Sequence, residues 1–118
     1  MKLFAIRIFV LQWDDACRYY REMQGLKERF RNDEIGWAEF DLNGPCMGLE
    51  QVEPDDPEGN ALVGRFVGVS LRVEDLQASY QDFLAKGVKF SAAPESQPWS
   101  GSLSHFEDPD GNVLTLLG

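Results

Sequence analysis

The chain has 118 residues, of which 43% are hydrophobic and 26% charged. That is the size and balance of one globular domain, long enough to bury about 65% of its unfolded surface without disulfide or metal staples. Twenty acidic residues against eleven basic ones give a net charge of −9, which argues against a nucleic-acid backbone or an anionic membrane surface as partner, since both need clustered cations.

Residues 3–11 (LFAIRIFVL) are rich in β-formers and predict a strand. Arg7 interrupts that stretch, and it is too short for a transmembrane helix. The N-terminus offers one lysine and no small-residue cleavage site, so no signal peptide is expected and the cytoplasm is the default compartment. Asp14 and Asp15 mark a helix start, where carboxylates meet the positive end of the helix dipole. Cys17, Tyr20 and Met23 follow at helical spacing, and Gly25 ends the helix. A short strand is expected over 26–30 and a longer one over 35–42. Asn43-Gly44 is a hairpin signal, with 45–52 as the return strand. Residues 53–60 (EPDDPEGN) read as a linker. Then come a strand over 66–73, a helix over 75–86 closed by Gly87, and a strand over 88–92. Residues 94–101 form a loop carrying Trp99, 102–107 a strand, 108–112 a turn and 113–117 the last strand. Cys17 and Cys46 make no disulfide framework and are expected as buried free thiols.

The pattern is β-α-β-β-β, a linker, and β-α-β-β-β again. Gly25-Leu26 and Gly87-Val88 end the two helices 62 residues apart, and the glycines of Asn43-Gly44 and Asp110-Gly111 lie 67 apart. An internal repeat of this kind predicts a single α+β domain over 1–118, with modules 1–53 and 64–118 and a linker at 54–63. The two modules side by side would form one curved, mostly antiparallel sheet of eight strands. The helices would lie on its convex side, and the concave side would stay free for a ligand.

The segment Phe106-Glu107-Asp108-Pro109-Asp110-Gly111-Asn112-Val113-Leu114 resembles the F-x-D-P-D-G-N-x-(I/L) signature of the vicinal-oxygen-chelate superfamily, which includes glyoxalase I, extradiol dioxygenases and bleomycin-resistance proteins. Val73-Glu74-Asp75-Leu76 with Ala85-Lys86-Gly87-Val88, and Tyr20 through Leu26, are similar to its helix motifs. The resemblance implies a homodimer. It also implies one divalent metal on the concave face, held by His or Gln on the first strand of each module and Glu on the last strand of one or both. Counted from the motifs, those positions fall on Ala5, Gly48, Gly68 and Thr115, which together offer at most one weak hydroxyl donor. The chain has a single histidine, His105. A catalytic ion takes three or four N, O or S donors from the protein, so no metal and no cofactor are expected. DPDGN itself reads as a turn rather than a catalytic element.

Strand alternation lines the concave face with Arg7, Trp37, Glu39, Glu50, Ser70, Arg72, His105 and Thr115, with Trp99 and Trp13 as roofing from loops. Two readings of the charges stay open: they orient a ligand, or Arg7–Glu39 and Arg72–Glu50 pair off and plug the cup. Trp37 reads first as core and second as a ligand platform. His105 has no nucleophile or carboxylate fixed beside it, and neither cysteine reads as a nucleophile. The resulting expectation is a binding protein for a small molecule, similar to the metal-less bleomycin-resistance branch, rather than an enzyme. The alternatives are a metal-dependent lyase, isomerase or dioxygenase of the same superfamily, and a scaffold whose pocket is filled by its own side chains.

Overall fold

The computed structural model describes residues 1–118 throughout. Its elements run β1 (Ala5–Val10), α1 (Trp13–Arg18) prolonged by a π-helical turn (Tyr19–Met23), β2 (Glu28–Asn32), β3 (Trp37–Asp41), β4 (Cys46–Gln51), α2 (Pro57–Asn60), β5 (Phe66–Arg72), α3 (Leu76–Ala85), β6 (Lys89–Phe90), β7 (Glu95–Ser96), β8 (Ser102–Glu107) and β9 (Val113–Leu117). The fold is mixed α+β, and no helix is long and apolar enough to cross a membrane.

The strands form two sheets. One has the order β1-β4-β3-β2, the other β5-β9-β8-β6, with β7 sharing the outer edge of β8. In each sheet the first strand of the half lies parallel to its last strand, and the remaining pairings are antiparallel. The expected continuous sheet of eight strands is therefore not formed within the chain. β1 and β5 each end a sheet, and neither has a strand on its free side. The halves are joined through side chains instead of through these edges. A ninth strand arises because residues of the expected 94–101 loop pair, as β7, with β8.

One core serves both halves. Ile8, Val10, Phe40, Met47 and Leu49 of the first sheet cluster with Phe106, Leu114 and Leu116 of the second, and with Cys17, Tyr20 and Phe83 of the helices. The alternation of β1 explains its part: Ile8 and Val10 are buried, while Phe9 between them is half-buried and Arg7 before them is exposed. Each sheet thus packs one face on helices and turns the other away from the core.

The first helix starts at Trp13, and the backbone N–H of its N-cap residue Gln12 is taken by the Asp110 carboxylate, at 3.2 and 3.3 Å. A carboxylate from the second half therefore sits at the positive end of this helix. The π turn leaves Tyr19 and Tyr20 both buried. Their hydroxyls cross to the other half: Tyr20 donates to Asp108 Oδ2 at 2.8 Å and Tyr19 to the Glu107 carbonyl at 2.9 Å. Asn112 adds one more link, donating to the Phe9 carbonyl at 3.0 Å, and within its own half it accepts from Gly64 N–H at 2.9 Å. The DPDGN segment is a turn, as its residues imply, and it is also the latch between the halves.

Two local corrections follow from the same detail. The 53–60 segment, read as a linker, contains the short helix α2, whose N-cap Asp56 accepts from Glu58 N–H and is followed by Pro57. Aspartate at N-cap with proline at the first helical position is a helix start that the polar composition hid. The short strand expected over 26–30 is β2, shifted to Glu28–Asn32. The Asn43-Gly44 hairpin holds, with both residues at positive φ.

Candidate functional site

The outward face of the first sheet is built in cross-strand rows. Arg7, Gly48 and Glu39 lie in one, Glu50 and Trp37 in the next. The six-membered ring of Trp37 rests on Gly48 so closely that a Cβ there would overlap its Cη2, Cζ3 and Cζ2 atoms. The indole Nε1 donates to Glu39 at 2.9 Å, which fixes the ring in that pose. Arg7 donates to Glu50 at 2.9 Å, with side chains 57% and 38% exposed, so the pair contributes little stability. Glu39 faces Arg29 at 3.4 Å. The ion pairs expected from sequence, Arg7–Glu39 and Arg72–Glu50, are thus replaced by Arg7–Glu50 and Arg29–Glu39, because register sets Glu50 nearer than Glu39 to the arginine.

On the second sheet, Ser70, Thr115 and His105 share a row. His105 Nδ1 and Thr115 Oγ1 share a hydrogen bond of 2.8 Å, and the Phe66 ring meets the imidazole edge-on at 5.6 Å between centroids. Trp99 roofs nothing: it is 52% exposed and lies over Gly101 of its own loop. Trp13 is a core residue whose Nε1 donates to Asp33 at 2.9 Å. The expected site residues therefore divide between two faces. Arg7, Trp37, Glu39 and Glu50 come together on one. Ser70, His105 and Thr115 come together on the other, with Arg72 one row away. None of the four larger cavities is lined by both sets.

The residues present do not fit a divalent metal of the kind the resemblance implies. Ala5 pairs with Cys46, whereas Gly48 pairs with Arg7 and lies under an indole. Gly68 has φ +73°, in a stretch where β5 holds more residues than β9 and the register slips between Phe66 and Ser70. A larger ligating residue would be strained in that left-handed conformation. The Thr115 hydroxyl is engaged by His105. No three His, Cys, Asp or Glu side chains gather anywhere into a ligand set. The cysteines are buried free thiols; burial pushes Cys17 up to about 11 and raises Cys46, which leaves neither as an active nucleophile at neutral pH.

The largest cavity, about 640 Å³, lies between the free edge of β5 and the end of the first sheet near Leu26 and Leu42. It takes in Ser70 and Arg72 and none of the residues around Trp37.

A family model, the Glyoxalase/Bleomycin resistance protein/Dioxygenase superfamily, matches residues 2–116. The chain belongs to that superfamily. It is 30% identical over 125 residues to YraH, an uncharacterized protein of Bacillus subtilis (strain 168), covering 98% of this chain and 97% of that one. Among solved structures it is similar to UcmS2, at TM-score 0.85 and 28% identity, with 99% of this chain and 97% of that one covered. It is similar also to TnmS3, an antibiotic binding protein from Streptomyces sp. CB03234, at TM-score 0.76 and 26% identity, covering 98% and 93%. Sequence reading missed two features of this superfamily member. The contact of Trp37 with Gly48 was foreshadowed only by an unexplained glycine inside a strand. The latch of Tyr20, Asp108 and Asn112 had its residues in the quoted motifs, but nothing in the chain says that Tyr20 meets a residue 88 positions away.

Proposed function

We propose that this superfamily member binds a small molecule without a metal, on the outward sheet face floored by Trp37. The observation that carries the reading is the six-membered ring of the indole set against Gly48 and held by Glu39. At a position where the resemblance implies a metal ligand, the protein presents an aromatic surface. Such a floor suits a conjugated, planar ligand, with Arg7, Glu39 and Glu50 to orient its polar groups. The net charge of −9 favours cationic ligands over anionic ones on this face. Similarity to an antibiotic binding protein supports sequestration as the role, and a metabolite-binding role uses the same surface. The metal-dependent lyase or dioxygenase reading has no donor set to stand on. On this account the chain acts in the cytoplasm as one ligand-binding domain over 1–118, needing no cofactor, nucleic acid or membrane.

Each face taken alone is open. Phe30 is 46% and Phe66 62% exposed, both on these outward faces, so we propose a homodimer in which the partner covers them. Light scattering at micromolar concentration should return twice the chain mass. A monomer would contradict the dimer.

The reading is tested by a thermal-shift screen of planar antibiotics and metabolites in the presence of a chelator. A ligand at 100 times its Kd should add about 2.7 kcal/mol to stability. Shifts that appear only when a divalent metal is restored would favour the enzyme reading instead.

A further inference from the structure

We propose that the cleft along the free edge of β5 is a second binding site, for an amphiphilic carboxylate whose apolar body lies in the cleft and whose head group meets Arg72. This site is separate from the Trp37 face and does not depend on it. The cleft measures about 640 Å³, within the range of drug-sized ligand sites, and nine of its sixteen lining residues are hydrophobic. Leu26 and Leu42 form one wall; Val67, Leu71 and Val73 form the other; Phe83 and Leu116 of the core close its floor. A crevice in the core of this kind exposes apolar surface that gains on being covered.

The head-group chemistry follows from which cations are already matched. Arg7, Arg18, Arg21, Arg29 and Arg31 each hold a carboxylate within 4 Å. Arg65 and Arg72 hold none, although the chain carries twenty acidic residues, and of these two only Arg72 lines the cleft. It is exposed at the rim of the cleft, where its guanidinium is free to take both oxygens of a carboxylate. The polar groups beside it suit the same head. The Ser70 hydroxyl has no partner in the chain, and the outer edge of β5, which lines the cleft, is not taken up by any strand. Asp41, the acid on the opposite wall, is engaged with the Asn43 N–H at 2.9 Å. The register slip at Gly68 bends β5 out of the ladder along this wall.

Dodecanoate and dodecan-1-ol serve as probes, titrated by calorimetry into the full-length protein. Dodecanoate should bind at one per chain. Arg72→Gln, at an exposed position, should weaken dodecanoate at least tenfold and leave dodecan-1-ol unchanged. Leu42→Trp, which fills the cleft, should abolish binding of both while the protein keeps its near-ultraviolet circular dichroism. If Leu42→Trp does not fold, the Arg72→Gln comparison alone decides. No binding of dodecanoate, or equal binding by wild type and Arg72→Gln, would overturn the proposal. Loss of dodecanoate in Trp37→Ala with Arg72→Gln unaffected would also overturn it, placing the acid on the sheet face. A change of oligomeric mass in Leu42→Trp would overturn it too, showing that a second copy seats there.

Discussion

Asp108→Ala should lower the stability of the fold by about 3–5 kcal/mol, the range seen when a buried charged hydrogen-bond centre is removed. Asp108 is 6% exposed and accepts from the Tyr20 hydroxyl, from the side chain and backbone N–H of Asn112, and from the backbone N–H of Asp110, all at 2.8–2.9 Å. Its loss leaves the Tyr20 hydroxyl and the Asn112 amide without this acceptor in the interior, and it loosens the one segment that ties β9 to β1. The effect carries a pH signature. Burial, the larger influence, pushes the Asp108 carboxyl above its usual range, against the pull of the hydrogen bonds from Asn112 and Tyr20. A folded-state pKa above the unfolded one means that the folded protein holds the proton more tightly. The group's contribution is then fully present below the unfolded value and is lost as pH rises through the folded value. Denaturant unfolding of wild type and variant should therefore show a gap that widens as the pH is lowered from neutral. A gap below 1 kcal/mol at every pH would mean that the latch does not hold the halves together.

The second large effect concerns binding. Trp37→Ala should cost about 2 kcal/mol of affinity, roughly thirtyfold in Kd, for whichever planar ligand the thermal screen returns, as expected for removal of a central aromatic anchor. Gly48→Ala gives the complementary perturbation. Its Cβ would displace the indole from below without removing it, at about 1–3 kcal/mol of overpacking strain. Both variants should weaken the same ligand, one by deleting the platform and the other by tilting it. Fluorescence titration of the two against wild type reads this directly. Unchanged affinity in Trp37→Ala would show that the ligand sits elsewhere.

Much of the fold was legible because its signals are local. The β-formers of 3–11 marked β1, Asn43-Gly44 placed the hairpin, Gly25 and Gly87 ended the helices, and the duplication set the two halves apart. The superfamily was legible in DPDGN and its neighbours, and the family match over 2–116 bears that out. What could not be read depends on long-range geometry. Whether β1 and β5 meet edge to edge is decided by how the common core packs, which no local pattern encodes. The choice of Glu50 over Glu39 as the partner of Arg7 depends on the register of β1 against β4. Alternation also assumed an unbroken β5, whereas the slip at Gly68 removes that residue from the ladder and shifts the rows beyond it. The short helix α2 escaped notice because four residues are too few to show a period.

Calorimetric titration of chelator-treated protein with Zn²⁺, Mn²⁺, Ni²⁺ and Fe²⁺, run beside the ligand found by the screen, tests metal-independent binding most directly. The account predicts no saturable heat at one metal per chain, because Ala5, Gly48 and Gly68 carry no donor and the Thr115 hydroxyl is held by His105. It predicts equal ligand affinity with and without chelator. One ion bound per chain, with ligand affinity that vanishes on chelation, would contradict it.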